Sequence, residues 1–307
     1  MFKKVFPVFL CTLCTSFPAL AQNSVQWTNV DALYQPLPPS VKVYKTVDAL
    51  DGKPNVAYYI EADLNDRSLL FSADTTLQRR LTPAQFYQKN NEPLVVVNTT
   101  FFSFQTHQNL NVVIKDGKTA SFDPVRWAAD RNDTTAKIKA YNSAIGISRK
   151  RKADVAWTQT DSSKTFAYAT QGPLEENQKV RYKKWKMQTA VGGGPVLLQK
   201  GEIQITNNEE RKFAGKAIND RHPRTAMGYT ADGKLIILVV QGRMAGVAEG
   251  ASLTHLAQLL KDVGCVEALN LDGGGSTCLL INGKESIAPS DKVQRAVPAV
   301  FMIQLAP

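Results

Sequence analysis

The sequence is poor in the residues that build metal centres and disulfide frameworks. Its three histidines, His107, His222 and His255, show no ligand spacing. No dense His/Asp cluster offers the paired cations on which many phosphodiesterases that cut the phosphorus–oxygen bond rely. Of four cysteines, Cys11 and Cys14 lie in the first 21 residues, which leaves only Cys265 and Cys278. Two thiols make no framework. They flank a segment read as strand, loop and strand, in which Cys278 would face Leu269 or Asn270, so two buried free thiols are expected. No run of five or more like charges occurs, no internal repeat stands out, and no apolar run reaches the ~20 residues that span a bilayer. A stable membrane anchor is therefore not expected after processing.

The amino terminus has the layout of a cleaved export signal. Lys3 and Lys4 precede an apolar stretch from Val5 to Leu20, interrupted by Pro7 and Pro18, and Ala19-Leu20-Ala21 supplies a small-x-small site. Residues 1–21 are read as signal peptide, 22–40 as an extended proline-containing lead-in, and 41–307 as a single domain, exported to the periplasm or secreted. Removing Lys3 and Lys4 lowers the formal charge from +10 to +8, so the mature chain stays basic. That balance suits an anionic partner such as an envelope polysaccharide. The densest basic cluster, Lys179 to Lys186, alternates with Val180, Tyr182 and Trp185 and reads as a ribbon with one wet face. No nucleic-acid-binding module surrounds it, and no nucleic-acid partner is expected.

Alternating patterns predict strands over Val41–Tyr44, Val56–Ala62 and Leu69–Ser72, and the continuous apolar run Leu94–Val97 predicts a buried central strand. Thr82 followed by Pro83 marks a helix start. A second helix is expected from Leu253 to Val263, capped by Ser252 and stopped by Gly264, with Leu253, Leu256, Ala257 and Leu260 on one face. Asp116-Gly117, Asp232-Gly233 and Asn282-Gly283 predict hairpins with two-residue primed turns. The sum is an α+β domain: a twisted mixed or mostly antiparallel sheet with a few packed helices.

The segment Leu269 to Thr277 carries the sharpest chemical signal. A buried strand runs into Asp272-Gly273-Gly274-Gly275-Ser276 and then into a second apolar strand. Three ordered glycines are costly in backbone entropy, which points to a loop facing a ligand. The segment is not a P-loop, because no lysine precedes the hydroxyls and a strand, not a helix, follows. Glycine amides can still form an anion-binding nest, with Asp272 at its mouth as the candidate catalytic carboxylate. A turn-capping role for Asp272 is the simpler alternative. Gly192-Gly193-Gly194-Pro195 would add a second wall, and Asn98, ending a buried strand before Thr99, Thr100, Phe101 and Phe102, is a further candidate. Arg224 and Arg243 would lie at the open end of one hairpin, where two guanidiniums suit a phosphodiester.

Taken in order, these blocks resemble the phosphodiester glycosidase family over about residues 90–305: Asn98 with Phe101-Phe102, Gly193-Gly194-Pro195, Arg224-Thr225, Gly242-Arg243, Leu256 and Leu260 before Gly264, and Asn270 to Ser276. Thr99 and Thr100 depart from the family's usual smaller residues. The resemblance implies hydrolysis of a sugar 1-phosphodiester, of the GlcNAc-1-phosphodiester kind, at the anomeric carbon–oxygen bond. Under it Asp272, Arg224, Arg243 and Asn98 are catalytic candidates, and Gly273, Gly274, Gly275, Ser276, Thr225, Gly193, Gly194 and Asn270 bind substrate. No cofactor is implied, although Asp272 leaves room for one calcium or magnesium ion. The alternatives are a phosphodiesterase cutting the P–O bond and a non-catalytic binder of anionic envelope glycans.

Overall fold

The strand predicted at Leu94–Val97 forms as Val95–Asn98 and is buried on both faces. It lies at the centre of a five-stranded sheet, between Leu279–Ile281 and Ala299–Leu305, with Lys284–Glu285 and Leu69–Thr75 at the edges. The computed structural model describes residues 24–124, 126–129, 137–172, 181–213 and 215–306. The expected export segment, the start of the lead-in, and Lys179 and Val180 of the basic cluster lie outside the described residues.

An eight-stranded sheet runs Thr28–Asn29, Val41–Thr46, Ala57–Asp63, Lys234–Val240, Arg224–Thr230, Cys265–Asn270, Val196–Gln199 and Glu202–Ile203. A seven-stranded sheet carries Ala167–Thr170, Ala153–Gln159, Asn142–Ser148, Met187–Gly193 and Val113–Lys115 as its inner strands. Every pairing among the described residues is antiparallel, so of the mixed or mostly antiparallel sheet expected the antiparallel arrangement is the one observed, and strands outweigh the two α-helices. Five of the pairs are hairpins joined by two to four residues, a connection that only antiparallel strands accept, and the other pairs are joined by longer connections.

One core joins the three sheets: Ile60, Ile237, Met227 and Leu269 from the first, Ile145, Val155, Trp157 and Val191 from the second, and Val95, Val97, Phe301 and Ile303 from the third. Strand Lys234–Val240 shows how both sides of a sheet are used. Leu235, Ile237 and Val239 point into this core, while Ile236, Leu238 and Val240 point outward under a helix. That helix, α2, spans Leu253–Asp262 after α1, Pro83–Lys89. Both begin with a capping box, from Thr82 with Gln85 and from Ser252 with His255; the histidine half was not visible in the sequence pattern. The helix α2 buries Leu253, Leu256, Ala257, Leu259 and Leu260, and Gly264 follows in the left-handed region at φ +87°. Each fully buried leucine contributes roughly 1.5–3 kcal/mol.

Two of the three primed turns form: Asp116 and Gly117, and Asn282 and Gly283, have positive φ. At Asp232-Gly233 only the glycine does. There the loop is three residues long, Ala231 to Gly233, closed by a hydrogen bond from the Gly233 N–H to the Thr230 carbonyl; such loops place one left-handed glycine after an ordinary turn. The segments around the triple glycine do not make the expected hairpin either. Cys265–Asn270 belongs to the eight-stranded sheet and Leu279–Ile281 to the five-stranded one, so the glycine loop crosses between sheets. Cys265 and Cys278 are buried free thiols, their pKa values raised by burial.

Candidate active site

Four strand ends, drawn from all three large sheets, meet at one place: Asn98, Gly193, Arg224 and Asn270. Hydrogen bonds tie them into one frame. The Asn98 side-chain amide donates to the Asp272 carbonyl at 2.6 Å, and its oxygen accepts from the Thr225 hydroxyl at 2.9 Å and the Cys278 N–H at 3.0 Å. The Asp272 N–H donates to the Thr99 carbonyl at 2.7 Å, so both backbone groups of Asp272 are fixed. Asn270 is clamped to Gly194, giving its side-chain amide to the Gly194 carbonyl at 2.8 Å and accepting the Gly194 N–H at 2.7 Å. Asn98, Thr225 and Asn270 are buried. Asn98 holds the backbone of the loop that carries Asp272 and is itself held by Thr225, while the side-chain oxygen of Asn270 is buried without a hydrogen-bond partner among the described residues.

Three N–H groups of the glycine loop have acceptors within the protein. The Gly274 N–H donates to the Pro223 carbonyl, Ser276 N–H to Gly273, and Thr277 N–H to Gly274, closing a short 3-10 turn over Gly274–Ser276. Those amides are spent on folding the turn. The glycines instead give room to their neighbours. A Cβ on Gly273 would lie 2.6 Å from the Pro223 carbonyl oxygen; one on Gly274 would lie 3.0 Å from Arg243 Nη2; one on Gly275 would overlap Arg295 and Asp291. Two guanidiniums therefore rest against successive residues of the loop.

The arginines at the hairpin's open end are not equivalent. Arg224 is 2% exposed; its Nε donates to the Ala251 carbonyl at 2.8 Å and its Nη2 to the Asp220 carbonyl at 2.7 Å, while its guanidinium covers the Phe213 ring. Burial lowers its pKa to about 10, an effect that Asp220 opposes and Arg243 adds to, so it stays charged at neutral pH. Arg243 is exposed and, among the described residues, carries neither ion pair nor side-chain hydrogen bond. The same two cations, after burial, hold the neighbouring His222 below the usual imidazole range.

Asp272 lines a cavity of about 390 Å³ together with Phe101, Phe102, Phe104, Leu110, Asn111 and Phe213, and with Arg211, Lys212 and Arg295. Burial pushes its carboxyl up to about 7, although Ser276, Arg295 and the Gly273 N–H all favour the ionised form. A carboxyl poised near neutrality in a cavity is what acid–base work requires. Arg295 had no motif to announce it. It is bound to Asp291 four residues earlier at 2.5 Å and reaches Ser276 Oγ at 3.5 Å. Lys212 was equally silent; its Nζ donates to the Gly193 carbonyl at 2.5 Å and pairs with buried Glu210 at 3.1 Å. Among the described residues no three His, Cys, Asp or Glu side chains group as a metal-binding set.

Residues 91–304, more than half the chain, match the family model described as phosphodiester glycosidase. The chain belongs to the phosphodiester glycosidase family. It is 39% identical over 80 residues to the SPbeta prophage-derived uncharacterized protein YomE of Bacillus subtilis, a match covering 26% of this chain and 12% of that protein. It is 34% identical to the N-acetylglucosamine-1-phosphodiester alpha-N-acetylglucosaminidases of mouse, over 92 residues, and of human, over 96 residues. Each of these covers 30% of this chain, and 17% and 18% of the mouse and human proteins, so the matched region is less than a fifth of either relative. The fold is shared with the catalytic domain of the zebrafish enzyme of that name, at a TM-score of 0.61 and 22% identity over 92% of this chain and 89% of that one. A hypothetical protein from Synechocystis superposes at 0.63 with 15% identity, over 92% of this chain and 64% of that one.

No helix among the described residues is long and apolar enough to cross a membrane.

Proposed function

We propose that this phosphodiester glycosidase-family chain is an exported hydrolase that cleaves a sugar 1-phosphodiester, GlcNAc-1-phosphodiester-like, between the anomeric carbon and its oxygen, releasing sugar and a phosphomonoester. One observation carries the reading: a carboxyl with its pKa raised to about 7 stands on a loop against which two guanidiniums pack, at the edge of a cavity large enough for a sugar. The phosphomonoester leaving group has a second pKa near ~6, so it departs with little protonation and needs charge stabilisation instead. Arg243, exposed beside Gly274, and Arg295, half-committed to Asp291 at the cavity, supply that charge. Ionised Asp272 then accepts the proton of an attacking water or stabilises the oxocarbenium-like sugar.

Arg224 acts by holding Phe213 and the Asp220 and Ala251 carbonyls, and Asn98 by fixing the Asp272 backbone; both are positioning residues. No cofactor is required. A divalent cation on Asp272 is poorly served by neighbours that are an N–H donor, a hydroxyl and a guanidinium. The test is hydrolysis of a GlcNAc-1-phosphodiester in heavy-oxygen water. Label in the freed sugar is expected; label in phosphate would establish P–O cleavage instead, and binding without any product would establish a glycan binder.

A further inference from the structure

The cavity has a second character that hydrolysis at Asp272 does not use. Half of its lining is apolar: Phe101, Phe102, Phe104, Leu110 and Phe213. A pyranose offers one small C–H face to a ring, and four phenyl rings with a leucine exceed what one sugar covers.

The apolar residues also have an order. Beside the loop, Arg295 reaches Ser276 with one nitrogen and lies over the Phe104 ring, 5.4 Å from its centroid. Phe104 packs on Phe102 at 4.8 Å, and Arg80 covers both rings from 5.7 and 5.3 Å. Running outward from Asp272 the sequence of groups is therefore guanidinium, exposed phenyl ring, guanidinium. Phe104 is 62% exposed and Leu110 37%, which places them at the mouth. A large ring held between cations and left open to water is an apolar surface of the kind that marks a binding site. With the anomeric carbon at Asp272 and the phosphate at Arg295 and Arg243, whatever is esterified across the phosphate meets Phe104, Phe102 and Leu110.

We infer that the alcohol on the far side of the phosphate is an apolar alkyl chain, and that Phe104 and Leu110 select it. The inference rests on the phosphodiester reading above and names the half of the substrate that reading leaves open. The order of contact explains why the rim is apolar directly beside the arginines: the phosphate is the junction between a polar sugar and an apolar tail.

The experiment uses GlcNAc-1-phosphate esters of methanol, butanol and octanol, below micelle-forming concentrations. The three leaving phosphates are alkyl monoesters of similar acidity, so rate differences report contact with the tail. kcat/KM is expected to rise from methyl to octyl by about tenfold or more. In Phe104→Asn and Leu110→Ala, both at exposed positions where folding is little affected, the octyl-to-methyl ratio is expected to fall to about threefold or less. Sugar release from all three esters at equal rates would overturn the inference and leave the hydrolysis reading standing. No sugar from any ester would overturn both. A chain-length preference that survives both substitutions would overturn the assignment to this rim.

Discussion

The helix α2 and the loop from Asp272 to Ser276 flank the same strand, Cys265–Asn270, and are held by opposite means. Before the strand, α2 lays Leu253, Leu256, Ala257 and Leu260 on the outer face of the eight-stranded sheet against Leu198, Ala226, Ile236 and Leu238. After it, the loop is fixed by carbonyl and amide partners, Thr99, Pro223, Thr225 and Asn98, and by the absence of side chains where Arg243 and Arg295 approach. Apolar packing loses stability gradually as volume is removed. A polar frame built on glycine has no such reserve, because one added carbon displaces a backbone carbonyl or a guanidinium.

Four substitutions sharpen that contrast. The largest effect is expected from Asp272→Asn, which keeps shape and hydrogen bonding but removes the carboxylate: kcat/KM should drop about 10²–10⁴-fold with an unchanged circular dichroism spectrum. Retained turnover would remove Asp272 from the chemistry. Arg243→Ala comes next, with a loss of about 10²–10³ in kcat and a melting temperature close to wild type, since the guanidinium has no protein partner to abandon. Next are the two structural changes. Gly273→Ala places a Cβ at 2.6 Å from the Pro223 oxygen and should cost both activity and stability, whereas Leu256→Ala should cost about 2–5 kcal/mol by denaturant unfolding while kcat per folded molecule is kept. Equal loss of kcat in both would erase the distinction between the two regions.

The smallest effect is a pH dependence of stability. Between the ordinary carboxyl value of 3.8 and about 7, folded Asp272 keeps a proton that the unfolded chain releases. Stability from this group is complete below the lower value and is lost as pH rises through the window. Asp272→Asn should therefore be more stable than wild type at pH 8, by on the order of 2 kcal/mol after allowing for the cavity's opening to solvent, and indistinguishable near pH 3. Activity moves the other way, rising toward a plateau above about pH 7 as the carboxylate forms. A thermal-melt series and a kcat/KM profile over the same pH range check both signs.

Much of the frame was legible because it depends on local chemistry. Thr82-Pro83, Ser252 and Gly264 mark helix ends, and the run at Leu94 marks a strand buried on both sides, since caps and periodicity act within a few residues. The site was legible only in part. Asp272, Arg243 and the glycines could be named, but not that the Gly274, Ser276 and Thr277 N–H groups would find acceptors within the protein. Arg224 was placed at the open end of its hairpin, but its burial was not legible, because whether an arginine faces a cavity or two carbonyls depends on Asp220, Phe213 and Ala251 as the fold brings them to it. Arg295, Lys212 and Phe104 sit in stretches without periodicity, and nothing local distinguishes them from surface residues.

The sequence by itself determined which segments become strands and helices, which turns take glycine, and the family to which residues 91–304 belong. Tertiary structure alone decided that one glycine loop bridges two sheets, that the strand ends of three sheets meet around Asp272, and that its carboxyl rises to about 7. Backbone preference is written residue by residue. Burial, and the charge partners that set a pKa or free a guanidinium, exist only once distant strands have been brought together.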